Sequence, residues 1–475
     1  LIRRSNALTA RLNVVSGFPN GASVTNAVYG STSQSGTSPL LRSLVVVCAS
    51  LVFIFGALPL RAASLFVAPN GSDNNSCTSS TSACLSFNGA YQKSSNGDVI
   101  QVAGGSYTGQ NILYKPANAC GSAICTHVLI QPATGASVTL NGDLNFGSTR
   151  FEAGAAHVTV QGITLTGDVS IPGCGQTPTP CPPDATSPGN DLTFQNLRVK
   201  GSYAFYCASC SNVTIDGGMW GPDNYNAPCT SDHHPEIASA DQQPKRANHI
   251  LIRNSEWKNF ARCVSAEHTE CLQIEPADDL TLRGNKFHDC DTIIVNIAND
   301  FGHWANSAAG FAAPNNILVE DNFFGTARDA TGGPTFYALN IRECTNCTVR
   351  YNSWTQAPRM PTGGEISLNN KYEGNVGPMG SANCGLTGVT YLYNVWSDAK
   401  CSATDKQAAS GFLNPSTWDL HLVLGSAAIG AGNPADYPAA DIDGQARVSP
   451  PDAGADQLVT TAKVNAPSNL NATVR

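Results

Sequence analysis

His268, Glu270, Gln273 and Glu275 crowd one stretch, His-Thr-Glu-Cys-Leu-Gln-Ile-Glu, and His288-Asp-Cys-Asp291 follows shortly after. Carboxylate, carboxamide and imidazole groups at this density can hold sugar hydroxyls, move protons or ligate a hard cation. His233 and His234 form a second, sparser pair in a long Cys-bounded segment. Loop histidines are more often incidental than functional, so the first cluster carries the expectation of a site.

Two chemistries fit such a cluster. β-Elimination on a uronate needs a base at the proton beside the carboxyl group and a cation to neutralise the developing enolate. The basic side chains nearest the cluster in the repeat described below are Arg342, Arg359 and Lys371. Hydrolysis needs two carboxyl groups about 5–9.5 Å apart, which Glu270 with Glu275, or Glu275 with a residue one coil away, would supply. Ca²⁺ takes several oxygen ligands, and Glu270 and Glu275 are its candidate ligands, helped by Asn296 and Asn340. The bland alternative is that these are ordinary polar residues of a solvent-facing strand.

What must position them is a repeat. The pattern apolar–any–apolar, turn residues, aromatic occurs as Asn212-Val-Thr-Ile-Asp-Gly-Gly-Met-Trp220 and His249-Ile-Leu-Ile-Arg-Asn-Ser-Glu-Trp257. It returns at Asp279–Phe287, Asn316–Phe324, Asn346–Trp354 and Gly388–Trp396, with weaker copies from His157 and Asp191. A strand this short cannot bury itself, but one copy per coil stacks its Val, Ile and Leu side chains into a continuous column. Asn285, Asn322, Asn352 and Asn394 share one turn position, where their amides would bond along the axis. The aromatics at 220, 257, 287, 324, 354 and 396 would form a second column. The expected fold is all-β, a single-stranded right-handed parallel β-helix (a solenoid).

A second strand precedes some copies, as Phe205–Cys207, Leu272–Ile274 and Leu339–Ile341. Alternation turns Leu272, Ile274, Leu339 and Ile341 inward and Gln273, Glu275, Asn340 and Arg342 outward. By the same rule Thr292–Ile297 adds Asn296, and Glu365–Asn369 adds Ser367 and Asn369. The expected site is therefore one outward face, with Glu275, Arg342, His268 and Glu270 as catalytic candidates. Gln273, Asn296, Asn340, Asn369 and Lys371 are its substrate-binding candidates.

The chain has 475 residues, a formal net charge of -8, 13% charged residues and no basic run, which argues against a nucleic-acid partner. Residues 43–60 are almost wholly apolar and follow Arg42, so 43–63 reads as a signal peptide or a membrane anchor behind an unstructured extension, 1–42. After Cys48, sixteen cysteines fall in neighbour pairs: 77/84, 120/125, 174/181, 207/210, 229/263, 271/290, 344/347 and 384/401. Disulfides in an oxidising compartment are the expectation. The metal-binding alternative for the two C-x-x-C pairs has no partner set at finger-like spacing.

Leu65-Phe-Val-Ala-Pro-Asn-Gly-Ser-Asp73 and Gly97-Asp-Val-Ile-Gln-Val-Ala-Gly-Gly-Ser-Tyr107 resemble the entry strand and first coil of pectin-lyase-like right-handed parallel β-helix proteins. Ser426–Gly432, Asp441–Arg447 and Asp452–Asp456 resemble the closing segment of such secreted proteins. The resemblance spans about 64–456 and implies the fold, not the reaction, since lyases, hydrolases and non-catalytic proteins share it. Related lyases often use Lys or Arg as the base, whereas the comparable position beside Ile274 holds Glu275. Ala466–Val474 looks like the first strand of a fibronectin type III module, within 457–475. The expectation is a secreted or cell-surface monomer acting on extracellular polysaccharide, acidic-glycan elimination ranking ahead of glycoside hydrolysis and of a non-catalytic glycan-binding adhesin.

Overall fold

The computed structural model describes residues 62–115, 125–147, 154–171, 190–208, 210–225, 234–238, 246–262, 269–275, 277–298, 313–328, 337–341, 343–361, 365 and 367–458. The apolar segment 43–60 and the stretch 466–474 lie outside them. Among the described residues no helix is long and apolar enough to cross a membrane.

The chain winds into a right-handed parallel β-helix, as the repeat and the resemblance led us to expect. Three parallel ladders run along it. The first joins Ser64–Val67 through Val99–Val102 and successive coils to Val389–Leu392. Its inward positions register as one column: Leu65, Ile100, Ile130, Val160, Phe194, Ile215, Ile252, Leu282, Val319, Val349, Tyr372 and Tyr391. All twelve are buried, so each short strand gains its apolar burial from the coils above and below.

The first-sheet strands of the repeat are bounded by left-handed residues. His157, Asp191, Asn212, His249, Asp279, Asn316, Asn346 and Asn369 all have φ between 52° and 58°. Asn, Asp and His tolerate this region better than other non-glycine residues, which explains why they recur at the start of the repeat. Their side chains bond from coil to coil: His157 to Asp191 (2.6 Å), Asn316 to Asp279 (2.6 Å) and Asn369 to Asn346 (3.2 Å).

The opposite corner carries the buried amide ladder. Asn285 Nδ2 donates to Asn322 Oδ1 (3.0 Å), Asn322 to Asn352 (2.9 Å), Asn352 to Asn375 (3.1 Å) and Asn375 to Asn394 (3.0 Å). Asn394 ends it on Asp405 (3.1 Å). The sequence pattern misses Asn375 and Asp405 because their coil copies are degenerate. Next to the ladder stands the aromatic column of the second ladder: Trp220, Trp257, Phe287 and Phe324 stack with centroids 5.1, 6.4 and 5.4 Å apart. Trp354 stacks on Trp396 at 5.7 Å although Gly377 lies between them in register. A Cβ at Gly377 would come within 2.4 Å of the Trp354 ring, so the glycine is what lets the two indoles meet.

Five neighbour cysteine pairs, 77/84, 207/210, 271/290, 344/347 and 384/401, are disulfide-bonded. Cys125 is also disulfide-bonded, while Cys120, Cys174, Cys181, Cys229 and Cys263 lie outside the described residues. The parallel ladders end at Lys406–Gln407, and an antiparallel hairpin, Phe412–Asn414 with Asp419–Leu422, follows.

Candidate functional site

The third ladder builds the expected face. It joins Phe205–Ala208, Glu236–Ala238, Glu270–Ile274, Ile293–Ile297 and Tyr337–Ile341. Cys207, Ile237, Ile274, Ile297 and Ile341 register on its core side. One residue earlier, Tyr206, Glu236, Gln273, Asn296 and Asn340 register on the other side, and a parallel bridge continues the row to Arg359. Gln273 and Glu275 therefore share the outward face with the two asparagines, as alternation predicts.

The face is bonded along its length. Gln273 Nε2 donates to Glu275 Oε1 at 2.6 Å, and Asn340 Nδ2 to Asn296 Oδ1 at 2.7 Å. Arg359 reaches Asn340 Oδ1 and Glu365 Oε1, both at 3.5 Å. Although these side chains stand outside the coil, Gln273, Glu275, Asn296 and Asn340 are all buried, Glu275 to 1% exposure. Gln273 Oε1 is buried without a hydrogen-bond partner among the described residues, a costly condition for an amide oxygen and one a ligand hydroxyl would relieve. Among the described residues of the face, the carboxylates are Glu236 and Glu275 and the cation is Arg359, which reaches Glu365 at 3.5 Å.

Other expected members fall elsewhere. Glu270 is buried, with Oε2 3.5 Å from His234 Nδ1. It shares its parity with the core residues Leu272 and Ile274, and five extended residues separate it from Glu275 by about 16 Å. The two carboxylates cannot meet on one Ca²⁺ ion, and this corrects the expectation for that pair. Glu275 Oε1 and Asn296 Oδ1 are already taken by amides of the same face, so the donor set does not fit the six to eight oxygens Ca²⁺ takes.

Asn369 occupies the exposed left-handed turn bonded to Asn346, and Ser367 registers with Cys344 beside the first sheet. Lys371 sits on the first sheet opposite Thr348, paired with Glu373 (2.6 Å) and Asp436 (2.9 Å). Neither Asn369 nor Lys371 joins Glu275. The next residue of the face after Asn340 is Arg359, not the 365–369 segment, because the coil shortens there. His268, Arg342 and His233 lie outside the described residues. Glu236, absent from the sequence expectation, is a member through a three-residue strand too short to show a pattern.

His288 belongs to a closed network instead. Its Nδ1 faces Asp289 Oδ2 at 2.6 Å and its Nε2 faces Glu256 Oε1 at 2.9 Å. Asp289 also accepts from Trp418 Nε1 (2.9 Å) and pairs with Arg328. Asp291 accepts from Tyr225 and from the Arg262 amide. Burial alone would lower the His288 pKa, but the two carboxylates outweigh it and hold it above the usual value. The hydrogen bond from His288 draws the Glu256 carboxyl down to about 2. A histidine ring held between two carboxylates fastens neighbouring coils.

No protein-family model and no curated protein matches this chain. Solved structures of similar shape include pectate lyase Pel9A, at 13% identity and TM-score 0.42, covering 84% of this chain and 96% of that one. A complex of XylC with xylose aligns at 10% identity and TM-score 0.39, covering 73% and 85% of the two chains. The PL6 family alginate lyase AlyGC aligns at 12% identity and TM-score 0.33, covering 76% and 56%.

Proposed function

We propose that this protein is an extracellular polysaccharide-cleaving enzyme whose reaction is glycoside hydrolysis, with Glu236 and Glu275 as the carboxyl pair. The observation that carries the reading is their placement on one outward face of adjacent coils. Glu236 registers with Gln273, and Glu275 stands two residues further along the same strand direction. One strand spacing and two residues of rise put the two backbone positions about 8 Å apart, close enough for side chains on one face to reach the carboxyl separation that an inverting pair needs. One carboxylic acid protonates the leaving glycosidic oxygen, and the other carboxylate takes a proton from the water that attacks the opposite face of the sugar. Gln273, Asn296 and Asn340 supply amide groups for sugar hydroxyls.

Among the described residues, the carboxylates Glu236 and Glu275 on the face favour a neutral glycan, since a polyanion would meet like charge. That reverses the order suggested by sequence, where elimination comes first. Elimination keeps one supporting feature, the Arg359 guanidinium at the end of the row, which suits a uronate carboxylate. The disulfides among the described residues suit an oxidising, extracellular setting.

The test is a panel of neutral and acidic polysaccharides assayed in parallel for new reducing ends and for the ultraviolet absorbance of unsaturated products. Reducing ends without that absorbance are expected. Unsaturated products would establish elimination, and no product from any glycan would leave binding without catalysis.

A further inference from the structure

The closing hairpin carries a cluster that the glycan face does not use. His421, on the strand Asp419–Leu422, presents Nδ1 to Asp419 Oδ1 and has Nε2 2.8 Å from Asp443 Oδ2. Asp456 joins them, so that ligand atoms of His421, Asp443 and Asp456 lie within 4.8 Å of one another. The ring edge is packed against Phe323, with centroids 5.0 Å apart, which fixes its plane.

Both ring nitrogens of His421 face carboxylate oxygens, an arrangement satisfied either by a second ring proton or by a cation at Nε2. What favours the cation is the buried carboxylate beside it. Asp456 is 4% exposed, and one of its oxygens accepts from the Leu422 amide at 2.8 Å. Its other oxygen has no hydrogen-bond partner among the described residues, and no Lys or Arg among them pairs with Asp443 or Asp456.

We propose that His421 Nε2 and the carboxylates of Asp443 and Asp456 form a binding site for a divalent transition-metal ion of the Zn²⁺ type. One imidazole and two carboxylates, with water completing the shell, suit Zn²⁺ rather than Ca²⁺, which takes more ligands and oxygen alone. Asp419 is a positioning residue: its bond to Nδ1 sets the tautomer that presents Nε2. Bound metal would tie the hairpin to the two closing loops around 443 and 456, making the site structural and independent of the glycan reaction.

The test uses the full chain, stripped with a chelator and titrated with Zn²⁺, and in parallel with Ca²⁺, by calorimetry. One equivalent of Zn²⁺ is expected, with a rise in Tm that chelator reverses. Asp443→Asn, at a partly exposed position that leaves the fold intact, should weaken Zn²⁺ at least tenfold, and His421→Ala should abolish it. No Zn²⁺ binding, Ca²⁺ binding in its place, or Zn²⁺ binding unchanged in Asp443→Asn would each overturn the proposal.

Discussion

Arg447 and Asp321 stand 126 residues apart in sequence and meet as a buried ion pair, Nη2 to Oδ1 at 2.7 Å. The same guanidinium donates to the carbonyls of Asp452 (3.1 Å) and Gly454 (2.8 Å) and lies 4.8 Å from the centre of the Tyr351 ring. Asp321 is a left-handed turn residue just before the amide ladder, φ 55°. The closing segment is therefore fastened to the body of the solenoid by one side chain that satisfies a coil turn and two carbonyls of its own loop. This gives a physical role to the arginine in the Asp441–Arg447 stretch.

Arg447→Met removes the cation and leaves the Asp321 carboxylate buried. Breaking a buried pair from one side costs about 3–5 kcal/mol, so the urea midpoint should fall well below the parent's. Adding Asp321→Asn should recover part of the loss, because the stranded charge is then gone. Equal midpoints for Arg447→Met and the parent would show that the closing segment does not depend on this pair.

Asn352→Ala should destabilise more than an ordinary surface change. The Asn352 amide accepts from the Asn322 backbone (3.0 Å) and side chain (2.9 Å), and donates to the Val319 carbonyl (2.8 Å) and to Asn375. Leaving such buried groups unpaired costs about 1–3 kcal/mol each. Asn346→Ala, in the exposed turn ladder, should cost much less, and equilibrium unfolding of both variants measures the difference.

The repeat was legible because its apolar, left-handed and amide positions each obey a local rule. Asn212, His249, Asp279, Asn316 and Asn346 announce the turn that only a few residue types accept, and the aromatics mark the same depth in every coil. The site was half legible. Gln273, Glu275, Asn296 and Asn340 follow from alternation, but Lys371 and Asn369 were misplaced because the coil length changes. Ladder asparagines are 30 residues apart from Asn322 to Asn352, then 23 to Asn375 and 19 to Asn394. A shorter coil loses its long third side, and an offset learned from longer coils then lands on the first sheet. Glu236 was invisible for the opposite reason: its strand is too short to carry a period.

Asp168 supplies a pH dependence. Burial pushes its carboxyl up to about 6, with Asp143 adding to the rise and the amide of Ala204 (2.7 Å) opposing it. The folded value lies above the unfolded one near 3.8, so between these values the native state holds a proton that the unfolded chain has released. Stability attributable to this group should fall as pH rises from about 4 to about 6, by up to about 3 kcal/mol at one pKa unit per 1.36 kcal/mol. Asp168→Asn should remove that segment of the slope in urea titrations across this range, and an unchanged slope would refute the assignment.

The order of effects at Glu275, Glu236 and Arg359 separates the two chemistries. Under hydrolysis, Glu275→Gln keeps the shape of the side chain and its place beside Gln273, but removes the carboxyl group that moves a proton. Proton transfer by a positioned group contributes about 10²–10⁴-fold, so kcat should fall by that factor with KM little changed, and Glu236→Gln should behave alike. The double variant should be little worse than either single one, because an acid and a base that act in one step do not add. Among the described residues the Arg359 guanidinium reaches Asn340 and Glu365, both at 3.5 Å, so Arg359→Ala should change kcat on a neutral glycan by no more than a few-fold. Under elimination the ranking inverts: the guanidinium that neutralises the uronate becomes indispensable, and Glu236→Gln becomes nearly silent. Steady-state kinetics of the parent and the four variants on the best substrate decide between the two. Full activity in both glutamine variants would remove this face from the chemistry altogether.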